Sequence, residues 1–368
     1  MKKLYIYIFT AILLAGGISV FAGADRAFSE NENRYLTKLS DVASADVISG
    51  EFQQQLMSYT NDQMPGRDIF MASATAVKKA SGRKDIGGAY IGRDGYYFDK
   101  KLDKDINLKR YRRNLDKIQK TAIRYSDKTV SVMLVPESAG IYSRRLPSNA
   151  QIFDDDKMYA MAEQQLTECR LINLKNILKQ NTDKDLYYRT DHHWTLEGAY
   201  IGYEAFTGKK CTYDTETVCD DFLGTLYSKV LDIKARKKVS DGGSADTVKI
   251  PVTDVKANVM ADGRSIDMFD MAALNEKDKY KVFFGGNYGI TEINSKVNDK
   301  KLVVVKDSFA NCFVPLLTGD YGEIIMIDMR YFSGNIDMVA ADADEILFLY
   351  ELSNFAADSN ISKLGMAY

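Results

Sequence analysis

Four short apolar runs constrain the fold of this chain more than any other feature of its sequence. Residues 130–135, 301–305, 323–328 and 345–350 are strand-length, largely apolar on both faces, and set among segments long enough to form helices. A strand buried on both faces needs cover on both sides, so the pattern predicts a mostly parallel sheet with helices packed above and below. The stretch before the first run agrees. Ile106, Leu108, Tyr111, Leu115, Ile118 and Ala122 recur at mostly three- and four-residue steps, an amphipathic helix leading into a strand that stops at Pro136. A helix is expected near 158–167, a strand near 169–174, a short helix to Gln180, and a strand-like run at Leu186-Tyr187-Tyr188. Ligands in such folds gather at the carboxyl ends of the strands.

The N-terminus carries an address. Lys2 and Lys3 precede an uncharged stretch from Leu4 to Ala24, and the first acid is Asp25. Ala22-Gly23-Ala24 fits the small-x-small rule of a cleaved signal peptide, while about 20 apolar residues also suffice for an uncleaved membrane anchor. Both readings stay open for residues 1–24, and both put everything from Asp25 outside the cytoplasm. No cysteine follows the stretch, which excludes a lipoprotein anchor.

Composition removes several functions. With 49 basic and 51 acidic residues the chain has a net charge of −2, without the basic excess of a nucleic-acid binder. Outside the membrane segment's two lysines the balance is 47 against 51, or −4, which suits a neutral or weakly charged glycan better than a polyanion. The 2 histidines, His192 and His193, are adjacent, so a His-rich metal site is excluded and any imidazole chemistry must use that pair. Zinc-type C-x-x-C and C-x-x-H spacings are missing as well. No metal and no cofactor is expected. Of the 4 cysteines, Cys211 and Cys219 enclose the shortest loop and are the expected pair if a disulfide forms, whereas Cys169 and Cys312 lie in apolar runs as buried thiols.

Residues 25–104 read as an N-terminal lead-in region, with a polar helix near 46–59 and a glycine-rich hairpin at 87–98 turning at Asp94-Gly95. Residues 105–368 form the main domain. A polar insertion at about 207–279 interrupts it, with short strands of its own expected. The run Lys234-Ala235-Arg236-Lys237-Lys238 within the insertion reads as a solvated face.

Two places can carry chemistry. Lys306-Asp307-Ser308-Phe309 joins the run 301–305 to a helix-like segment at 310–314, where unpaired N–H groups can stabilise an oxyanion; the other reading makes Asp307 or Ser308 a simple helix cap. Asp191-His192-His193-Trp194 follows a strand-like run, and Thr195 is a helix cap candidate. In an extended backbone Asp191 and His193 face one side and His192 the other. A carboxylate beside an imidazole is what a hydroxyl nucleophile requires, although a surface His pair beside a buried tryptophan gives the same letters. The only two histidines and the only tryptophan of the chain fall in four consecutive residues around this place. Arg330 and Tyr331, past the end of the run at 323–328, and Asn287, after Gly285-Gly286, are candidate substrate-binding or oxyanion groups, together with Trp194.

These segments resemble a known family. Asp191-His192-His193-Trp194, Val305-Lys306-Asp307-Ser308-Phe309-Ala310-Asn311 and Asp328-Met329-Arg330-Tyr331-Phe332 are similar to segments of the bacterial DHHW proteins, themselves similar to the SGNH-hydrolase-like domains of alginate O-acetylation proteins of the AlgX and AlgJ type. Upstream, Glu32-Asn33-Arg34-Tyr35-Leu36, Asn61-Asp62-Gln63-Met64-Pro65-Gly66-Arg67-Asp68 and residues 91–98 extend the likeness. The resemblance implies a flavodoxin-like, SGNH-type three-layer α/β sandwich. It implies Ser308 as nucleophile, His193 as general base and Asp191 as its orienter, with the Ser308 N–H in the oxyanion hole. The activity implied is an extracytoplasmic O-acyltransferase or esterase acting on acetyl groups of a cell-surface polysaccharide, with a membrane acyl-transfer partner. The alternative is a non-catalytic envelope protein that binds or assembles glycan on the same fold. Lys306 departs from the Gly-Asp-Ser of SGNH esterases, and no carbohydrate-binding module is expected before Tyr368.

Overall fold

The computed structural model describes residues 2–365 apart from residues 30 and 33; Asn33 and Tyr368 of the readings above lie outside the described residues. Its centre is an eight-stranded sheet. The strands are β1 (Thr129–Val135), β2 (Arg170–Asn173), β3 (Asn258–Ala261), β4 (Arg264–Ile266), β5 (Ile290–Asn294), β6 (Lys301–Lys306), β7 (Glu323–Ile327) and β8 (Glu345–Glu351). Their order is β4-β3-β5-β7-β6-β8-β1-β2. From β7 through β2 all neighbours are parallel, and β5, β3 and β4 extend the β7 edge antiparallel.

Alternation along the central strands divides the core into two layers, as runs apolar on both faces require. Leu302 and Val304 join Leu347, Leu349, Met133 and Val135 on one face, while Val303 and Val305 join Ile346, Phe348, Val132 and Leu134 on the other. The second face is covered by helices Leu108–Arg124 and Asp155–Gln165. Tyr111, Leu115, Ile118 and Ala122 of the first are buried, at the spacing read from the sequence. The first face is covered by Leu196–Thr207 and the short helix Ala310–Phe313. The architecture is α/β with a mostly parallel sheet.

Three readings are corrected. Leu186-Tyr187-Tyr188 is not a strand: it makes a single antiparallel bridge, Tyr187 to Trp194, and is buried because the chain doubles back over it. Cys211 and Cys219 are free thiols, as are Cys169 and Cys312. The reason is placement. Cys219 sits in a paired strand opposite Val248 with its thiol 3.2 Å from Asp221 Oδ1, while the backbone N–H of Cys211 donates to Glu204 Oε1 on helix Leu196–Thr207. The stretch 207–279 does form its own hairpin, Thr215–Phe222 with Asp246–Pro251, but its last part supplies β3 and β4 to the main sheet. Lys234, Arg236, Lys237 and Lys238 are exposed.

In the lead-in region, Asp94 and Gly95 take positive φ (57° and 79°) in the turn of a three-stranded sheet, which sends Tyr90, Tyr96 and Phe98 into the main core. The N-terminal helix Lys2–Ala22 is long and apolar enough to cross a membrane. Its last turn is packed: Val20 joins Val42 and Tyr59 in a small buried cluster, and the Phe21 and Tyr59 rings lie 5.5 Å apart.

Candidate active site

β6 delivers the serine. After Lys306 the chain turns, and the Asp307 carboxylate accepts from the Phe309 N–H (3.0 Å), the Glu351 N–H (3.0 Å) and Asn354 Nδ2 (3.0 Å). The Asp307 side chain thus ties the end of β6 to the end of β8 rather than capping the next helix, whose N-cap is Phe309 with no side-chain cap bond; burial pushes the Asp307 carboxyl upward. Ser308 is left free to face the opposite loop. Its Oγ lies 2.8 Å from His193 Nε2, and His193 Nδ1 lies 2.6 Å from Asp191 Oδ1. Among the described residues nothing accepts from the Ser308 N–H.

The loop that brings Asp191 and His193 here is bent rather than extended. Asp191 Oδ1 also accepts from the His193 backbone N–H (3.0 Å), and this turn puts the two side chains on one side. Upstream, buried Asp246 accepts from the Arg189 N–H, the Thr190 N–H and the Thr190 hydroxyl at 2.6–2.7 Å. The same Thr190 hydroxyl accepts from the Gly224 N–H (3.0 Å). Burial raises the Asp246 carboxyl to about 7. Asp191 Oδ2 is held from the other side by the Thr225 N–H (2.8 Å) and hydroxyl (2.9 Å). Burial alone would raise Asp191, but His192, His193 and these donors hold it far below the usual carboxylate range. Gly224 is required by this closeness, since a Cβ there would lie 2.3 Å from Asp191 Cβ.

An aromatic wall completes the arrangement. Tyr280 stacks on His193 (3.8 Å between ring centroids, 9° between planes), and its hydroxyl donates to the Ser308 carbonyl at 3.1 Å. One side chain therefore fixes the imidazole plane and the serine backbone together. Trp194, which the sequence groups with substrate-binding residues, is fully buried, and its indole N–H donates to the Phe309 carbonyl (2.8 Å). It braces the turn after Ser308 and cannot meet a ligand.

The other candidates divide. Asn287 Oδ1 accepts from Lys306 Nζ (2.8 Å) and Asn311 Nδ2 (3.3 Å), so what this side chain can offer an oxyanion is its Nδ2 donor. Lys306, buried at the position where an esterase has glycine, also donates to Asn311 Oδ1 (2.7 Å), and burial lowers it to about 8. Arg330 forms a two-point pair with Asp328 (2.8 and 2.6 Å), and its guanidinium is part-exposed beside the exposed Tyr331 ring. Thr225, Gly224, Tyr280 and Asp246 were missed from the sequence. They lie in or beside the polar insertion, 31 or more residues from the histidines, and no local spacing marks them. Ligand atoms of Asp191, His192 and His193 fall within 4.8 Å of one another, close enough to hold a metal ion. Their hydrogen bonds to Thr225 and Ser308 already occupy the inward-facing positions, which suits a proton relay better than a ligand cage.

The family described as DHHW protein matches residues 127–327. No curated protein sequence matches the chain. Among solved structures, a DHHW family protein from Eubacterium siraeum is 23% identical with a TM-score of 0.63, covering 77% of this chain and 97% of that one. Bacillus cereus PatB1 with a sulfonyl adduct is 17% identical with a TM-score of 0.60, covering 74% and 98%. The O-acetyltransferase domain of Pseudomonas putida AlgJ is 14% identical with a TM-score of 0.45, covering 75% and 98%. The first two share this fold.

Proposed function

Since this chain belongs to the DHHW family, we propose that it is an extracytoplasmic serine O-acyltransferase or esterase acting on acetyl groups of a cell-surface polysaccharide. The observation that carries this reading is the line Ser308 Oγ, His193, Asp191, with contacts of 2.8 and 2.6 Å. A serine hydroxyl is a weak nucleophile until a base takes its proton, and such assistance is worth about 10²–10⁴-fold. Ser308 Oγ attacks the acyl carbonyl as its proton passes to His193 Nε2. The carboxylate of Asp191 keeps the Nδ1 proton in place and stabilises the imidazolium. The oxyanion that forms meets the Ser308 N–H. His193 then returns the proton to the leaving oxygen, and an acyl-serine remains. A sugar hydroxyl, activated by the same imidazole, takes the acyl group in transfer, and water takes it in hydrolysis.

The N-terminal helix supports export and attachment to the membrane, where an acyl-transfer partner can load the serine. Part-exposed Arg330 and exposed Tyr331, beyond the end of β7, are the side chains we propose to contact the glycan.

The test uses the full chain with an activated acetyl ester and, prompted by the adduct on PatB1, a sulfonyl fluoride. Mass spectrometry should find one acyl or sulfonyl group on Ser308, and none on Ser308→Ala. Equal labelling and turnover by both proteins removes the serine mechanism and leaves the glycan-binding or assembly alternative. Capture of acetyl by an added oligosaccharide separates transferase from esterase.

A further inference from the structure

The mechanism above uses one histidine of the pair, yet the other is tied to the same carboxylate. His192 Nδ1 lies 2.8 Å from the Thr225 hydroxyl, which lies 2.9 Å from Asp191 Oδ2. The proton positions in this chain follow from valence. A carboxylate only accepts, so the single hydroxyl hydrogen of Thr225 points to Asp191. Toward His192 that hydroxyl must then accept, so His192 carries its proton on Nδ1. Burial and the neighbouring His193 push the second imidazole down to about 3, which keeps it neutral and leaves Nε2 as a bare acceptor. The two histidines are therefore in the same tautomer. Each donates from Nδ1 toward Asp191, His193 directly to Oδ1 and His192 through Thr225 to Oδ2.

We infer that Thr225 and His192 are positioning residues for the proposed acyl transfer, forming a second hydrogen-bonded arm that holds Asp191 from the side opposite His193. The catalytic meaning of the arm rests on the serine reading; its hydrogen bonds do not. Three features bear on it. All bonds in the arm are donated in one direction, toward the carboxylate, so each polarises the next. The two rings are held 3.9 Å apart at 37°, so His192 also packs beside the base. Beside His192 lies a cavity of about 20 Å³ bounded by Asp99, Lys101, Glu137, Ser138 and Glu351, a size that holds one water. Three carboxyl groups and one ammonium line that space, and the arm itself is fixed by its bonds to Thr225 and Asp191.

The arm sets the basicity of Asp191 as well as its position. Donors on Oδ2 spread the carboxylate's charge; removing them makes it a stronger acceptor toward His193 and moves the acid limb of the pH–rate profile to higher pH. A role in packing alone lowers the rate without moving that limb.

The experiment compares full-length wild type, Thr225→Val, Thr225→Ser, His192→Leu and His192→Asn. Asn can present an amide N–H where Nδ1–H was. Two readouts are taken: the low-field proton resonance of His193 Nδ1–H, and the pH profile of acetyl-ester turnover. Thr225→Val and His192→Leu should both displace the resonance, raise the acid-limb midpoint by about half a pH unit or more, and lower turnover roughly 10-fold. Thr225→Ser and His192→Asn should restore the resonance and bring turnover back to within about 3-fold of wild type. The inference is overturned if His192→Leu leaves resonance and midpoint as in wild type, or if Thr225→Val lowers turnover with both unmoved. His192 is half-buried, so its variants report even if Thr225→Val does not fold. If wild type neither turns over ester nor labels at Ser308, the serine reading fails, and the resonance alone decides whether the arm exists.

Discussion

The loop carrying Asp191 and His193 and the N-terminal eighty residues are built on opposite terms. In the loop, polar atoms are buried and paired: both oxygens of Asp191 have two donors each, and Thr190, His193 and Trp194 spend their polar hydrogens on named acceptors. In the N-terminal part, apolar side chains stand in the open, with Ile48 96% exposed, Ile69 72% and Val77 70%. The loop's geometry is over-determined from within, so almost any change reaches the chemistry. The exposed N-terminal side chains stand outside that part's own buried pairs, such as Asp62 with Arg34 and Thr37, so they answer to whatever lies outside the chain.

The sharpest way to break the contrast is Asp191→Asn. It keeps the shape but removes the charge and the tautomer control, and turnover should fall by about 10⁴-fold with little loss of secondary structure by circular dichroism. A drop under tenfold would show that the paired network is not the source of reactivity. Gly224→Ala comes next. Its methyl group must displace Asp191 or the loop, at a cost of roughly 1–3 kcal/mol in urea unfolding and a larger loss of turnover than that stability change explains. If activity and stability are both wild-type, the close approach is not real.

Acid should then separate the regions by pH. The folded form resists protonating His192 until about 3 against 6.5 when free, so the unfolded state binds the extra proton between those values and stability falls as pH drops below about 6.5. Depressed Asp191 adds to the loss at lower pH: its contribution is full above the free carboxylate value of 3.8 and fades only as pH falls through the folded value. His192→Asn should therefore lose less stability than wild type between pH 7 and 5 in parallel urea titrations, and identical slopes would refute the assignment. The smallest effect belongs to the N-terminal surface. Ile48→Ser should change unfolding free energy by no more than about 0.5 kcal/mol and leave turnover unchanged; a large loss would mean that this surface is internally partnered after all.

What the sequence reveals follows the same division. Runs 130–135, 301–305 and 345–350 were legible because burial on both faces leaves a mark that needs no partner to read. The stripe Tyr111, Leu115, Ile118, Ala122 was legible for the same reason. Leu186-Tyr187-Tyr188 misled because apolarity reports burial and not hydrogen-bond partners; a loop folded under itself looks like a strand. Ser308, His193 and Asp191 could be singled out from a strand end, a scarce residue type and a family likeness. Thr225 and Tyr280 could not. They lie 32 and 87 residues beyond His193, inside or at the edge of a polar stretch, and a threonine after glycine or a tyrosine after lysine carries no signal until the chain is folded. Trp194 was noticed for its rarity and assigned to the wrong surface, because rarity says nothing about which way a ring faces.

That burial of Trp194 has an optical consequence. It is the only tryptophan in the chain, against 23 tyrosines that can pass excitation to it, and its indole is hydrogen-bonded to the residue next to Ser308. Red-edge excited fluorescence from the whole protein therefore originates from one lamp fixed at the turn after the serine. Acylation, a shift of the Phe309 carbonyl or loss of the Tyr280 stack each alters the surroundings of that lamp, so events at the serine can be followed in real time without attaching a label.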